Sequence, residues 1–138
     1  MSELVRFGVS LEKTLLDRFD DLIREKQYTN RSEALRDLIR RELVRREWQE
    51  GRDVAGAISI IYDHHKHDVL IRVMDTQHDF QQVIISTQHV HLDHHNCLEI
   101  LAVLGNAEEV QKLADALRSI KGVRHTILSM SSTGRELE

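Results

Sequence analysis

The stretch TQHVHLDHHNC, residues 87–97, sets His89 and His91 one residue apart and closes on Cys97, the only cysteine among 138 residues. Imidazole and thiolate are the ligands of zinc, nickel and copper sites. On a strand, alternate residues share a face, so Val83, Ile85, Thr87, His89 and His91 are expected on one side. The two imidazoles then stand about 6.5–7 Å apart along the backbone. Five residues, 92–96, separate His91 from Cys97. An odd-numbered connection places Cys97 across the hairpin from His91, whereas an even-numbered one would send it to the other face. Under the odd-numbered connection two imidazoles and one thiolate converge, and His78, at the end of a predicted helix, is a candidate fourth ligand. Ni(II) and Cu(II) accept planar nitrogen-rich sets and Zn(II) a tetrahedral one. Three histidines and one cysteine suit all three metals, and composition does not choose among them. His94 and His95 read as solvated turn residues, and His64, His65, His67 and His125 need no ligand role.

The elements that must position these residues follow from periodicity. Residues 54–63 read as a strand and 67–80 as a helix with Val69, Leu70, Val73 and Met74 inward. Residues 81–92 and 97–105 read as strands, 106–122 as a helix capped by Asn106 and ended by Gly122, and 123–130 as a last strand. That βαββαβ order is ferredoxin-like. Its sheet carries helices on one face only, so the other face and the edges invite a partner subunit. Ahead of it, Val5, Phe7 and Val9 alternate with Arg6, Gly8 and Ser10, the period of a short strand. Leu15, Leu16, Phe19, Leu22 and Ile23 mark a first helix, and QYTN breaks it. Asn30, with Glu33 three residues on, starts a second helix striped by Leu35, Leu38, Ile39 and Leu43. One strand and two helices are too small to bury their own apolar face. Two chains pairing their strands would solve this, which is the ribbon-helix-helix pattern that puts a two-stranded ribbon into the DNA major groove. Arg6, Gly8 and Ser10 would face outward.

Charge divides the chain in the same place. Residues 1–52 hold 12 Lys/Arg against 11 Asp/Glu, and residues 53–138 hold 7 against 12, while all nine histidines lie at or after position 64. Two modules are therefore expected, with EGRD (50–53) as the linker. Aromatic residues make up 4% of the chain, so the core must be aliphatic. No apolar run reaches the roughly 18 residues of a membrane span. The absence of a signal-like apolar start and the single cysteine point to the cytoplasm.

A ribbon-helix-helix pattern followed by IYDHHKHDV, STQHVHLDHHNCLEI and GVRH resembles the nickel-responsive transcriptional regulators of the NikR family. The similarity runs from about residue 5 to 130. The family fingerprint, His, ten residues, His-x-His, five residues, Cys, falls on His78, His89, His91 and Cys97 without a gap. The resemblance implies an α+β chain: residues 1–50 as a ribbon-helix-helix DNA-binding domain and 54–138 as a ferredoxin-like, ACT-like domain for metal binding and tetramerisation. It implies a homotetramer with one Ni(II) per chain, bound in a square-planar site by His89, His91 and Cys97 of one chain and His78 of another. Nickel would promote operator binding and repress genes such as those of nickel uptake. Gln77 and Glu99 match positions in the network around the site, Tyr62 and His64 match positions near secondary contacts, and Glu33 and Asp37 match a second, weaker cation site. The outward ribbon face departs from the family's usual Arg-x-Thr-x-Thr: Arg6 is kept, but Gly8 has no side chain and Ser10 lacks the threonine methyl. The competing expectation is a ribbon-helix-helix regulator sensing a small molecule such as an amino acid. Catalysis is not expected, since a complete four-ligand set lacks the open position of a catalytic zinc.

Overall fold

The computed structural model describes residues 2–138. Two compact units divide at Leu43/Val44, the first also taking in Leu137–Glu138. This division falls inside the second helix. The helix's last turn belongs with the sheet, because Val44 packs on its core and Trp48 is 9% exposed. The Trp48 indole donates to the Ser131 carbonyl at 2.8 Å.

In the first unit, α1 (Lys13–Glu25) and the start of α2 (Arg31–Gln49) are joined by a tight reversal in which Gln27 takes a φ of 60°. Asn30 caps α2, its Oδ1 accepting from the Glu33 amide at 2.9 Å. The Arg31 guanidinium clamps Asp20 of α1 with two bonds of 3.0 Å and holds that carboxyl below its usual range. Residues 2–12 form no helix or strand. A β-ladder needs a second strand, and none of the described residues pairs with them. Their apolar residues lie open, with Val5 71%, Phe7 74% and Val9 57% exposed.

The second unit is the expected βαββαβ layer pair. Strands β1 (Asp53–Tyr62), β2 (Ile84–His91), β3 (Cys97–Asn106) and β4 (Val123–Met130) form one antiparallel sheet in the order β2-β3-β1-β4. Helices α3 (His67–Asp79) and α4 (Ala107–Ser119) cover one face. Val54, Ile58, Ile60, Leu101 and Val103 from the sheet meet Val69, Val73, Val110, Leu113 and Leu117 from the helices, a core that is aliphatic as composition required. Asn106 caps α4 by accepting from the Glu108 and Glu109 amides.

Four local expectations are corrected. Residues 81–83 form a 3-10 turn, not strand. A bulge between Ile84 and Ser86 breaks the alternation and leaves Ile85 64% exposed, off the expected histidine face. Met74 is 57% exposed, because Val69, Val73 and the partly buried Leu70 already fill the strip of α3 facing the sheet. Helix α4 stops at Ser119; Ile120 is extended, and Gly122, at φ 105°, makes the turn into β4. A Cβ at Gly122 would lie 2.4 Å from Val69 Cγ2, so the position excludes side chains on conformation and space alike.

Candidate metal centre

The ends of β1 and β2 meet the start of β3 at one corner of the sheet. The five-residue connection has the odd-numbered outcome: Cys97 pairs with His91 on one side and with Tyr62 on the other. Two residues along, Glu99 pairs with His89 and Ile60. His89, His91, Cys97, Glu99 and Tyr62 therefore share a face. Cys97 is fully buried, and its thiol donates to the Tyr62 carbonyl at 3.2 Å. Burial, reinforced by the nearby Glu99 charge, pushes that thiol's pKa up.

Glu99 is also buried, a carboxylate that must be hydrogen-bonded to be tolerated. The Tyr62 hydroxyl donates to its Oε2 at 2.7 Å and Gln77 Nε2 donates to Oε1 at 3.0 Å. Burial and Glu99 together raise the Tyr62 pKa, so the phenol keeps its proton for this bond. Its oxygen also lies 3.5 Å from His89 Nε2. Gln77 precedes His78 on α3, so one buried carboxylate ties the end of that helix to the sheet corner. His64 stands edge-on to His91, with ring centroids 4.5 Å apart. Burial, then the neighbouring His65 and His91, lower its pKa, and its Nδ1 is buried without a protein partner.

The donor set fits a borderline transition metal: a thiol and two imidazoles on one face, with a second tier of tied polar groups beneath them. His78 lies exposed in the last turn of α3. Within the chain, neither it nor the Cys97 corner forms a group of three donors inside 4.8 Å; among the described residues Asp63, His64 and His65 do. Sequence reasoning overlooked Asp63, a buried carboxylate one residue beyond Tyr62. Its signal was the sequence DHH itself, a carboxylate followed directly by two imidazoles.

The remaining expected positions lie in the first unit. Arg6, Gly8 and Ser10 are exposed in the 2–12 segment. The Glu33 carboxylate pairs with Arg36, while Asp37 accepts from the Tyr28 hydroxyl and pairs with Arg41 at 3.1 Å. Each of these carboxylates is thus engaged by a protein donor.

Comparison with known proteins adds two family matches. Residues 55–131 match the NikR C terminal nickel binding domain, and residues 5–46 match the ribbon-helix-helix protein, copG family. The chain is 61% identical over 135 residues to a protein of Syntrophus aciditrophicus, covering 98% of each. It is 61% identical over 134 residues to one of Chlorobium limicola, covering 97% of this chain and 100% of the other. To one of Pyrococcus furiosus it is 53% identical, covering 97% and 98%. All three are assigned as nickel-responsive regulators. Among solved structures, the uncharacterized protein TM1266 from Thermotoga maritima superposes with a TM-score of 0.50 at 16% identity, over 56% of this chain and 98% of that one, a likeness of fold alone. Fold and matches together define a ribbon-helix-helix transcription regulator with a ferredoxin-like nickel-binding domain, not an enzyme. The chain belongs to the NikR family of nickel-responsive regulators.

Proposed function

We propose that the chain is a repressor whose operator affinity is switched on by Ni(II), bound once per chain by His89, His91 and Cys97 with His78 supplied by another chain. The observation that carries this reading is the register: Cys97 stands directly across from His91, on the face that also carries His89. Bound there, Ni(II) would supply charge that holds the thiolate and imidazoles together, and would couple its own occupancy to whatever arrangement brings His78 into reach. The bond from Gln77 to Glu99 fixes the end of α3, so that movement of the sheet corner is felt one residue from His78.

Assembly into a homotetramer, a dimer of dimers, is supported by surfaces that a lone chain leaves open. In the first unit Phe7, Leu15 and Ile39 are each more than half exposed. The uncovered face of the sheet carries Ile127, 51% exposed, beside Ile61 and Ile100. Pairing of two 2–12 segments would give the ribbon that reads operator DNA through Arg6, with Gly8 and Ser10 beside it. A regulator of nickel supply acting on DNA works in the cytoplasm. Among the described residues no helix is long and apolar enough to cross a membrane. Glu33 and Asp37 would take the second, weaker cation only by exchanging their present partners.

The test is a selection from random duplex DNA with nickel in excess, followed by gel shifts with and without nickel. One enriched sequence, bound at least tenfold more tightly with nickel, is the expected result. If a sequence is enriched and binds equally without metal, nickel is not the effector, and the amino-acid-sensing alternative takes its place.

A further inference from the structure

Away from the thiolate corner, one carboxylate of the second unit is buried without adequate partners. Glu47, near the end of α2, is 6% exposed. Its Oε1 accepts from the Ser132 hydroxyl at 3.4 Å, longer than a good O–H···O bond. Its Oε2 is shielded from solvent and has no hydrogen-bond partner among the described residues. Ser132 has a single hydroxyl proton and cannot serve both oxygens. The Ser132 oxygen itself accepts from the Gly134 amide at 3.0 Å. A buried carboxylate in this state is costly, and a cation carrying N–H donors is what relieves it.

Glu47 lines a cleft of about 300 Å3 with Arg52, Asp53, Thr133, Arg135 and Glu136. All six positions lie in the second unit. Three carboxylates stand against two guanidinium groups, so the lining carries one net negative charge. Arg52 is already engaged, pairing with Glu136 at 2.6 Å and with Glu50 at 3.1 Å. Among the described residues, Glu47, Asp53 and Glu136 do not bring three oxygens within 4.8 Å of one another, the closeness a metal ion would need. The space suits a small molecule rather than a bare ion, and a single positive charge balances it. A primary ammonium brings that charge together with three N–H donors.

We infer that this cleft binds the primary ammonium group of a small organic amine, with Glu47 as its principal acceptor and Asp53 as a second carboxylate. The ammonium would supply Glu47 with its missing donor in place of the long Ser132 contact. Residues 131–136 form no helix or strand, so they can adjust around a ligand. Trp48, the chain's one tryptophan, follows Glu47, and its indole bonds to the carbonyl of Ser131, so a shift at Ser132 is felt there. Neither nickel nor DNA enters this site, and its test is independent of theirs.

The experiment is titration of the full-length protein with n-butylammonium near neutral pH, followed by Trp48 fluorescence and by calorimetry. Tetramethylammonium, which has the charge but no N–H donor, is the control at matched ionic strength. Saturable binding of n-butylammonium is expected, at least tenfold tighter than that of tetramethylammonium. Glu47→Gln, which keeps the shape and removes the charge, should weaken it at least tenfold while the nickel absorption stays as in the parent. Asp53→Asn, at an exposed position, should weaken it severalfold without disturbing the core. Arg135→Ala, which removes a competing cation, should bind the amine at least as tightly as the parent. A parent that shows no saturable heat overturns the site, as do equal binding of the two ammonium ions and a Glu47→Gln protein that binds as the parent does. A parent that binds no amine while Arg135→Ala melts at a lower temperature overturns it too, and makes Arg135 the partner of Glu47.

Discussion

At the scale of single residues, the decisive atom is the Cys97 sulfur. It is buried and its pKa is raised, so at neutral pH the metal-free thiol carries a proton. Nickel must displace that proton to bind. Affinity should therefore fall by about tenfold per pH unit, for the one thiol proton, as pH is lowered anywhere beneath the thiol's pKa. Calorimetry in two buffers of different ionisation enthalpy checks the proton count, and an affinity flat from about pH 6 to 8 would remove Cys97 from the ligand set. Cys97→Ala and His89→Ala should each lose tight nickel binding, read as loss of the thiolate absorption in the first and a weakened titration in the second. Both should remain folded by circular dichroism, because the core cluster of Ile58, Leu101, Val103, Val110 and Leu117 lies further along the sheet. The parity of the 92–96 connection was legible in sequence, and so was the His91–Cys97 pairing. The joining of Tyr62, Gln77 and Glu99 was suggested only by family resemblance, since no spacing rule links residues 62, 77 and 99.

At the scale of elements, the second unit was read nearly whole because each of its pieces carries its own signal. The alternating Val54, Ile58, Ile60 row of β1 and the Asn106 cap of α4 are local properties of the sequence. What escaped prediction depends on neighbours. The bulge at Ile84–Ser86 and the exposure of Met74 follow from how β2 and α3 seat on the sheet, which periodicity does not encode. Gly122 shows the same coupling: it was legible as a helix terminator, but its real constraint is Val69 on the other helix. Gly122→Ala is expected to destabilise the domain by about 1–3 kcal/mol, combining backbone strain with steric overlap. Asn106→Ala, which leaves two amides of the first turn of α4 without their acceptor, should cost about 1 kcal/mol. Thermal unfolding of the metal-free proteins measures both, and equal melting temperatures for Gly122→Ala and parent would show that α3 gives way without cost.

At the scale of the whole molecule, metal and DNA are assigned to different units of one chain, and the clearest evidence is a pair of variants that separate them. Residues 2–12 form no strand within one chain, and the ribbon proposed for them needs the ladder of a second copy. Arg6 is the long donor among the outward Arg6, Gly8 and Ser10, so it should carry the contact to guanine or to a nearby phosphate. Arg6→Ala is therefore expected to lose specific operator affinity by about 1–3 kcal/mol per base contact removed while keeping the parent's nickel absorption. His78→Ala should behave in the opposite sense. Its ribbon is untouched, so weak, metal-independent DNA binding persists, but nickel no longer tightens it, because a ligand shifts an equilibrium only by its differential affinity for the two states. Gel shifts and nickel titrations on both variants, run side by side at one salt concentration, make the comparison. If Arg6→Ala retains the full nickel-dependent affinity, the 2–12 segment does not read DNA. If His78→Ala still responds to nickel as the parent does, the fourth ligand lies elsewhere and the coupling between chains must run by another route.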